Sequence, residues 1–230
     1  FRSIDNSLVN ITELTLKEAG DVYLREGYSM SDVFTTGILQ RGRDGKLVEE
    51  GNGYQVDRSQ RIRLGSADPD FTMGWRHDIN YKNISLGLMI TGRFGGIVTS
   101  QTQAFMDAFG VSKVSAEARD NGGVMLDGHR YDAERYYNTV GGQGLMSYYT
   151  YDATNVRLQE LSLTYSLPKK WLGDVFNNAT ISFVGRNLFM FYRKAPFDPD
   201  MNGSTGTYNR SDFFMAPSLR NLGFSIKFSL

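Results

Sequence analysis

Apolar and polar residues alternate strictly through the last ten residues of the chain, NLGFSIKFSL. The apolar positions of this run are Leu222, Phe224, Ile226, Phe228 and Leu230. Successive side chains of a β-strand point to opposite faces, so a period of two predicts a strand with one apolar and one polar face. A strand of this kind needs different surroundings for its two faces.

The same period of two recurs in further segments along the chain. FTMGWRHDINY and ISLGLMITGRF both alternate and are separated by a turn at Lys82 and Asn83, so they predict a tight antiparallel hairpin. In VRLQELSLTYSLP the part from Val156 to Glu160 has the opposite parity to the part from Leu161 onward, which a β-bulge or a rise out of the apolar layer would explain. The predicted strands lie at 4–16, 70–82, 84–95, 155–167, 179–191 and 219–230.

The connections between these strands alternate in length. Residues 17–69 and 95–154 are long connections and 192–218 is a medium one, whereas the turns at 82–83 and 168–178 are short. All the short turns therefore fall at one end of the sheet. Membrane β-barrels combine short periplasmic turns with long extracellular loops, whereas loops of this length are uncommon in compact soluble domains. The pattern favours an all-β, transmembrane antiparallel β-barrel over a soluble β-sandwich.

The charges on the polar faces agree with a barrel. Arg76, Asp78, Arg93 and Lys227 lie opposite the apolar positions of their strands. They suit a watery lumen, whereas each would cost several kcal/mol in a sealed core unless it were paired. In this arrangement the last strand of the chain is the closing strand, which pairs with the first strand of the barrel. Its apolar residues Leu222, Phe224, Ile226, Phe228 and Leu230 face lipid, and the C-terminus lies on the periplasmic side of the bacterial outer membrane.

Composition and motifs exclude several classes of function. The net charge is zero, which gives no indication of a nucleic-acid partner, and the chain has no cysteine and two histidines, too few for a metal site built from them. No apolar run of about 18 residues predicts a transmembrane helix. Neither a nucleophile elbow nor a phosphate-binding loop is present, so we expect no enzyme activity and no cofactor.

The predicted strands are too few to close a ring. Single-chain barrels have about eight strands or more, and an open edge in lipid leaves backbone groups unpaired. The chain begins with Phe1 and no signal peptide follows. We therefore expect residues 1–230 to be the C-terminal segment of a larger barrel, with about six of its strands and with long extracellular loops.

Several stretches, in order, resemble the SusC/RagA family of TonB-dependent outer-membrane transporters. The stretches are EGYSMSDVFTTGIL at 26–39, LGSADPDFTMGW at 64–75, VRLQELSLTYSLPKKWL at 156–172, ISFVGRNLFMF at 181–191, FDPD at 197–200 and the closing alternation. The resemblance implies a barrel of about 22 strands. The signal peptide, TonB box and plug domain of that family would lie outside this chain. The chain departs from the family in ending on Leu230 instead of Phe.

The resemblance also implies a function. Members of the family import oligosaccharides or peptides, capture them with a SusD-like surface lipoprotein, and are energised through TonB, ExbB and ExbD, often as a dimer of SusC–SusD pairs. The alternative is a passive or structural outer-membrane barrel whose loops act as an adhesin or scaffold. A plug domain and TonB box upstream would decide for the transporter.

A tyrosine-rich stretch offers candidate contact residues. Around Gly141, Gly142 and Gly144 lie Tyr131, Tyr136, Tyr137, Tyr148, Tyr149 and Tyr151. On an extracellular loop these rings suit contact with a substrate or with the lid lipoprotein, and they equally suit packing within the loop. All three roles stay open on the sequence alone. The segment 103–123 has the apolar spacing of a short loop helix that ends at Gly122.

The sequence contains one candidate metal site, which resembles a calcium loop. Asp198, Asp200 and Asn202 occupy alternate positions before Gly203, as oxygen ligands do in an EF-hand loop. The twelfth position is Asn209 instead of the bidentate Glu, and no helices flank the stretch. The sequence therefore favours a turn rich in Asp and Asn over a calcium site. For His77 and His129 it favours structural roles over metal binding.

Overall fold

The structure is a computed structural model that describes residues 13–16, 22–25, 27–29, 31–172, 176–200 and 211–229. Its helices are α1 (Gln101–Ala108), α2 (Lys113–Asp120) and α3 (Ala133–Val140), with 3-10 helices at Met146–Tyr148 and Lys169–Trp171. The strands are β1 (Glu13–Leu16), β2 (Val22–Arg25), β3 (Asp32–Leu39), β4 (Glu49–Glu50), β5 (Gly53–Tyr54), β6 (Val56–Ser66), β7 (Phe71–Tyr81), β8 (Ile84–Phe94), β9 (Ile97–Ser100), β10 (Val124–Leu126), β11 (His129–Tyr131), β12 (Thr150–Asp152), β13 (Asn155–Ser166), β14 (Asn178–Arg193), β15 (Ser211–Asp212) and β16 (Asn221–Ser229).

The chain divides into two compact units. The sheet unit consists of Pro69–Gly95, Ala153–Asp200 and Pro217–Leu230. The loop unit consists of the remaining segments, Phe1–Asp68, Gly96–Asp152 and Met201–Ala216. Each unit has its own packing.

The sheet unit contains five antiparallel strands in the order β16-β14-β13-β8-β7. They confirm the strands predicted at 70–82, 84–95, 155–167, 179–191 and 219–230. Lys82, with φ +53°, forms the two-residue turn between β7 and β8. The predicted bulge is confirmed as well, because the pairing register of β13 shifts between Val156 and Arg157 and again between Leu158 and Glu160.

The pairing register places apolar residues beside apolar residues, and polar residues beside polar residues, across all five strands. One row, on the apolar face, joins Ile79, Leu86, Leu163, Phe183 and Phe224. The neighbouring row, on the opposite face, joins Asn80, Ser85, Thr164, Ser182 and Ser225. A slip by one residue would exchange the two faces of a strand, so the alternation in the sequence fixes this register.

In the loop unit, the strands β3 and β6 form an antiparallel hairpin. The prediction that residues 17–69 are one long connection was therefore wrong for this part. The run VDRSQRIRLGS of β6 is polar without interruption from Asp57 to Arg61, and the β3 partner carries register shifts at Val33/Phe34 and Thr36/Ile38. Neither strand shows the period that an apolar face imposes. Of the strand predicted at 4–16, only Glu13–Leu16 lies within the described residues.

Three short helices contribute to the core of the loop unit, and Met146 of the 3-10 helix packs against this core. Each α-helix begins at a side chain that accepts a backbone N–H: Ser100, Ser112 and Asp132. The helix predicted within 103–123 is confirmed as two, α1 and α2. Gly141 permits α3 to end against α1, because a Cβ there would overlap the Ala104 carbonyl oxygen.

Candidate functional site

The first candidate surface is the apolar face of the sheet unit. Its large side chains stand exposed: Leu163 at 47%, Trp75 at 49% and Phe224 at 66%. On the closing strand β16, Leu222, Ile226 and Phe228 are exposed at the same face, whereas Leu230 lies outside the described residues. Exposed apolar faces this large mark protein or membrane contacts. None of the described helices has the length and apolar character needed to cross a membrane.

The opposite face of the sheet is hydrophilic. Arg76 Nε lies 2.9 Å from an Asp78 carboxylate oxygen, and Arg186 Nε lies 3.0 Å from Glu160 Oε2. Both pairs are open to solvent, so they are screened and contribute little to stability. One sheet thus presents an apolar surface on one side and a hydrated, charged surface on the other.

At the strand ends that lead into the long connections, the polar face carries a buried ion cluster. Arg157, on β13, places Nη2 at 2.8 Å from Asp198 Oδ1 and at 2.7 Å from Asp200 Oδ2. Its Nη1 donates to Asn187 Oδ1 at 3.2 Å. The Arg157 side chain is only 6% exposed. The cluster therefore holds the segment after β14, which contains the FDPD motif, against β13, the central strand of the sheet.

Backbone groups complete this cluster. Asp198 accepts the backbone N–H of Asp200 at 3.1 Å and of Ser218 at 3.3 Å. Asn187, at φ +53°, donates from Nδ2 to the Ser218 carbonyl oxygen at 3.1 Å. Asparagine is one of the few residues that adopts this left-handed conformation readily. The segments before and after residues 201–210 are thus held together on the sheet.

The two carboxylates of the cluster have opposite pKa shifts. Burial alone would raise the pKa of Asp198, but the hydrogen bonds from Ser218 and Asp200 and the Arg157 guanidinium outweigh it and leave the pKa lowered. For Asp200, burial dominates and raises the pKa despite the attraction of Arg157. Asp198 therefore stays ionised to a lower pH than Asp200 does.

The same carboxylates were the weak calcium candidates. Both are engaged by Arg157, and Asn202 lies outside the described residues. Within the described ranges, no cluster of three or more His, Cys, Asp or Glu residues is arranged to hold a metal ion. Sequence reasoning missed the role of Arg157 and Asn187, although two carboxylates in one short motif are a signal that a cation lies nearby.

The predicted tyrosines lie mostly inside the loop unit. Tyr131, Tyr136, Tyr137 and Tyr149 are buried in its core together with Val140. This placement agrees with the packing role, and it leaves these four rings little surface for a substrate or a partner. Burial raises the pKa of Tyr136 and Tyr149, so their hydroxyls stay neutral.

Two tyrosines of the set keep some accessible surface. Tyr151 is half-buried against the core. Tyr148 is 36% exposed, and its hydroxyl accepts the backbone N–H of Leu39 at 3.2 Å. Ligand contact stays a prediction, and Tyr148 is the residue of the six that is most open to it.

The loop unit also presents an exposed aromatic surface that sequence reasoning did not identify. Phe105, Phe213 and Phe214, here called the phenylalanine cluster, are 39%, 54% and 64% exposed. Their ring centroids lie 5.2 to 6.1 Å apart. The Phe214 N–H donates to Thr102 Oγ1 at 2.6 Å, which fixes Phe214 beside α1. The adjacent Phe213 and Phe214, which do not belong to an alternating strand, were the sequence signal for this surface.

The chain is similar in sequence to known TonB-dependent receptors. No family model matches the chain. TonB-dependent receptor P3 of Formosa agariphila is 29% identical over 188 residues, and TonB-dependent receptor P26 of the same organism is 26% identical over 156 residues. The alignments cover 78% and 66% of this chain but 18% and 15% of those receptors. The chain thus spans less than a fifth of the length of these relatives.

Solved structures show the same fold. The RagAB peptide importer in its open-open state matches with a TM-score of 0.62 at 17% identity, over 96% of this chain and 24% of that one. A structure of the RagAB peptide transporter matches with a TM-score of 0.60 at 14% identity, over the same shares. The chain therefore has the fold of part of an outer-membrane β-barrel, which confirms the predicted fold class. The predicted resemblance to TonB-dependent receptors and to RagA is confirmed by these matches.

Proposed function

We propose that this chain belongs to an outer-membrane nutrient importer energised by TonB, for which it supplies part of the barrel wall and outer loops. The observation that carries the proposal is the five-stranded sheet with one exposed apolar face and one hydrated face. A barrel wall between lipid and a watery lumen needs this arrangement. The protein moves its substrate without covalent chemistry and without a cofactor.

In this proposal the complete barrel has about 22 strands. The closing strand β16 faces lipid with Leu222, Phe224, Ile226, Phe228 and Leu230, and the chain ends on the periplasmic side. A plug domain and a TonB box upstream couple the barrel to TonB, ExbB and ExbD. The short turns predicted at 82–83 and 168–178 support this orientation, because barrels keep their short turns on the periplasmic side.

The proposed substrates are peptides or oligosaccharides. Peptides are favoured by the fold match to the RagAB peptide importer. A SusD-like lipoprotein captures the substrate outside the barrel, and two pairs of barrel and lipoprotein form a dimer. On the loop unit, the exposed phenylalanine cluster and Tyr148 are the surfaces proposed to meet this partner.

Uptake by cells that carry the full-length protein tests the proposal. Labelled peptide and oligosaccharide mixtures are supplied to three strains: wild type, a deletion of this protein, and a deletion of TonB. The importer predicts accumulation of one substrate class that is lost in both deletions. Accumulation that depends on this protein but persists without TonB would support the passive barrel instead, and unchanged uptake in all strains would support the structural or adhesive barrel.

The phenylalanine cluster gives a prediction about the partner. We expect Phe213→Ser with Phe214→Ser to weaken retention of the lipoprotein about ten- to a hundredfold, because aromatic anchors contribute most of the energy of such interfaces. Retention is measured by co-purification with the affinity-tagged full-length protein. Val111→Ser with Met125→Ser is the matched control, since these side chains are also exposed on the loop unit. Equal retention by both double variants would remove the cluster from the interface.

A further inference from the structure

Two short turns of the sheet unit lie side by side and are basic. One is the turn after β7, and the other contains the 3-10 helix at Lys169–Trp171. Asn83 joins them: its Nδ2 donates to the Ser166 carbonyl oxygen at 2.8 Å, and its own carbonyl oxygen accepts the Ser166 N–H at 2.8 Å. The cations on these neighbouring turns, here called the lysine rim, are Lys82, Lys169 and Lys170.

Aromatic side chains lie beside the lysine rim. Tyr81 ends the apolar face of β7 and is 66% exposed, and Lys82 Nζ lies 5.2 Å from the centroid of its ring. Trp171 follows Lys170 directly and is 64% exposed. Tyr and Trp rings favour the boundary between hydrocarbon and headgroups. The Tyr81 ring thus lies at the edge of the apolar face, with the Lys82 ammonium group beside it.

The lysine rim has an excess of positive charge. The described residues of the two turns, 82–83, 167–172 and 176–177, include these lysines and no Asp or Glu; Asp174 lies outside the described residues. At the other strand ends the buried charges are matched, because Arg157 bridges to both Asp198 and Asp200. In the sequence the two turns carry three lysines and one carboxylate, Asp174, so the net charge of the short-turn end is positive.

We propose that the lysine rim binds the phosphate group of an anionic phospholipid, with Tyr81 and Trp171 against its glycerol and upper acyl carbons. The inference rests on the proposed function, since it requires the apolar face to lie in a bilayer. Lysine stems can extend along apolar surface while their ammonium groups reach the headgroups. A lysine near an anionic surface contributes about a fivefold gain in binding, so three contribute on the order of a hundredfold.

The test uses the full-length protein in nanodiscs of phosphatidylethanolamine with or without phosphatidylglycerol. The lipids retained after brief detergent extraction are counted by native mass spectrometry. The test variant is Lys82→Gln with Lys169→Gln and Lys170→Gln. The matched control removes three exposed cations from the loop unit, Arg43→Gln with Lys46→Gln and Lys113→Gln.

The wild type and the control are expected to retain phosphatidylglycerol in preference to phosphatidylethanolamine, and the test variant to lose this preference. For the wild type, added salt should reduce the preference, because exposed charges are screened. Equal retention of phosphatidylglycerol by all three proteins would overturn the lipid site while leaving the membrane barrel intact. If the wild type entered neither kind of nanodisc, the barrel itself, and the site with it, would be wrong.

Discussion

Replacing Arg157 by alanine is expected to lower the free energy of unfolding of the full-length protein by about 3–5 kcal/mol. The guanidinium is nearly inaccessible and bridges to both Asp198 and Asp200. Without it, Asp198 stays buried with no arginine beside it, and Asp200 keeps only Arg93, whose Nη1 lies 3.6 Å from its Oδ1. Removing one partner of a buried ion cluster costs far more than the pair contributes, since the remaining charge is uncompensated. Denaturant-induced unfolding, compared with the wild type, measures the loss.

The control for Arg157 is Arg186→Ala. Arg186 pairs with Glu160 on the same face of the sheet, but its side chain is 64% exposed. An exposed pair contributes about 0–1 kcal/mol, so this variant should unfold close to the wild type. If both variants lost the same amount of stability, the buried cluster would have no special role in fastening the FDPD segment.

Leu163→Arg is expected to have the second large effect. Leu163 lies on the central strand of the sheet, in the apolar row between Leu86 and Phe183. An arginine on the lipid face of a barrel near the bilayer midplane costs about 2–4 kcal/mol. We expect a loss of that size in the unfolding free energy of the full-length protein in lipid vesicles, and a lower yield of the protein in the outer membrane.

The neighbouring residue provides the control for this substitution. Ser162 lies on the same strand but points to the polar face, where it is aligned with Gly87 and, beyond it, Asp78. Ser162→Arg introduces the same side chain into water near a carboxylate and should cost less than about 1 kcal/mol. A reversed order, with Ser162→Arg the more harmful change, would mean that the two faces have been assigned the wrong way round.

The sheet unit was predictable because its surroundings impose a pattern on the sequence. A strand between hydrocarbon and water must alternate, and β7, β8, β13, β14 and β16 do so. The irregular pairing of β13 was visible as a change of parity between the part from Val156 to Glu160 and the rest of the strand. The hairpin of β3 and β6 was missed because the polar run from Asp57 to Arg61 interrupts the alternation of β6.

The loop unit was predictable only in part. The sequence around a tyrosine in a long connection does not show whether its ring packs inward, as that of Tyr136 does, or stays accessible, as that of Tyr148 does. The choice depends on contacts between residues far apart in the sequence, such as the bond from the Leu47 N–H to the Tyr131 hydroxyl. The ion cluster has the same origin, because Arg157 and Asp198 are 41 residues apart.

The central claim is that the two faces of the sheet meet different solvents. Spin labels on single cysteines at each position from 221 to 227 of the full-length protein, in a background without other cysteines, test this in lipid vesicles. We expect labels at Leu222, Phe224 and Ile226 to report high accessibility to oxygen. Labels at Gly223, Ser225 and Lys227 should report high accessibility to a water-soluble nickel reagent. An accessibility profile without this period of two along β16 would contradict it.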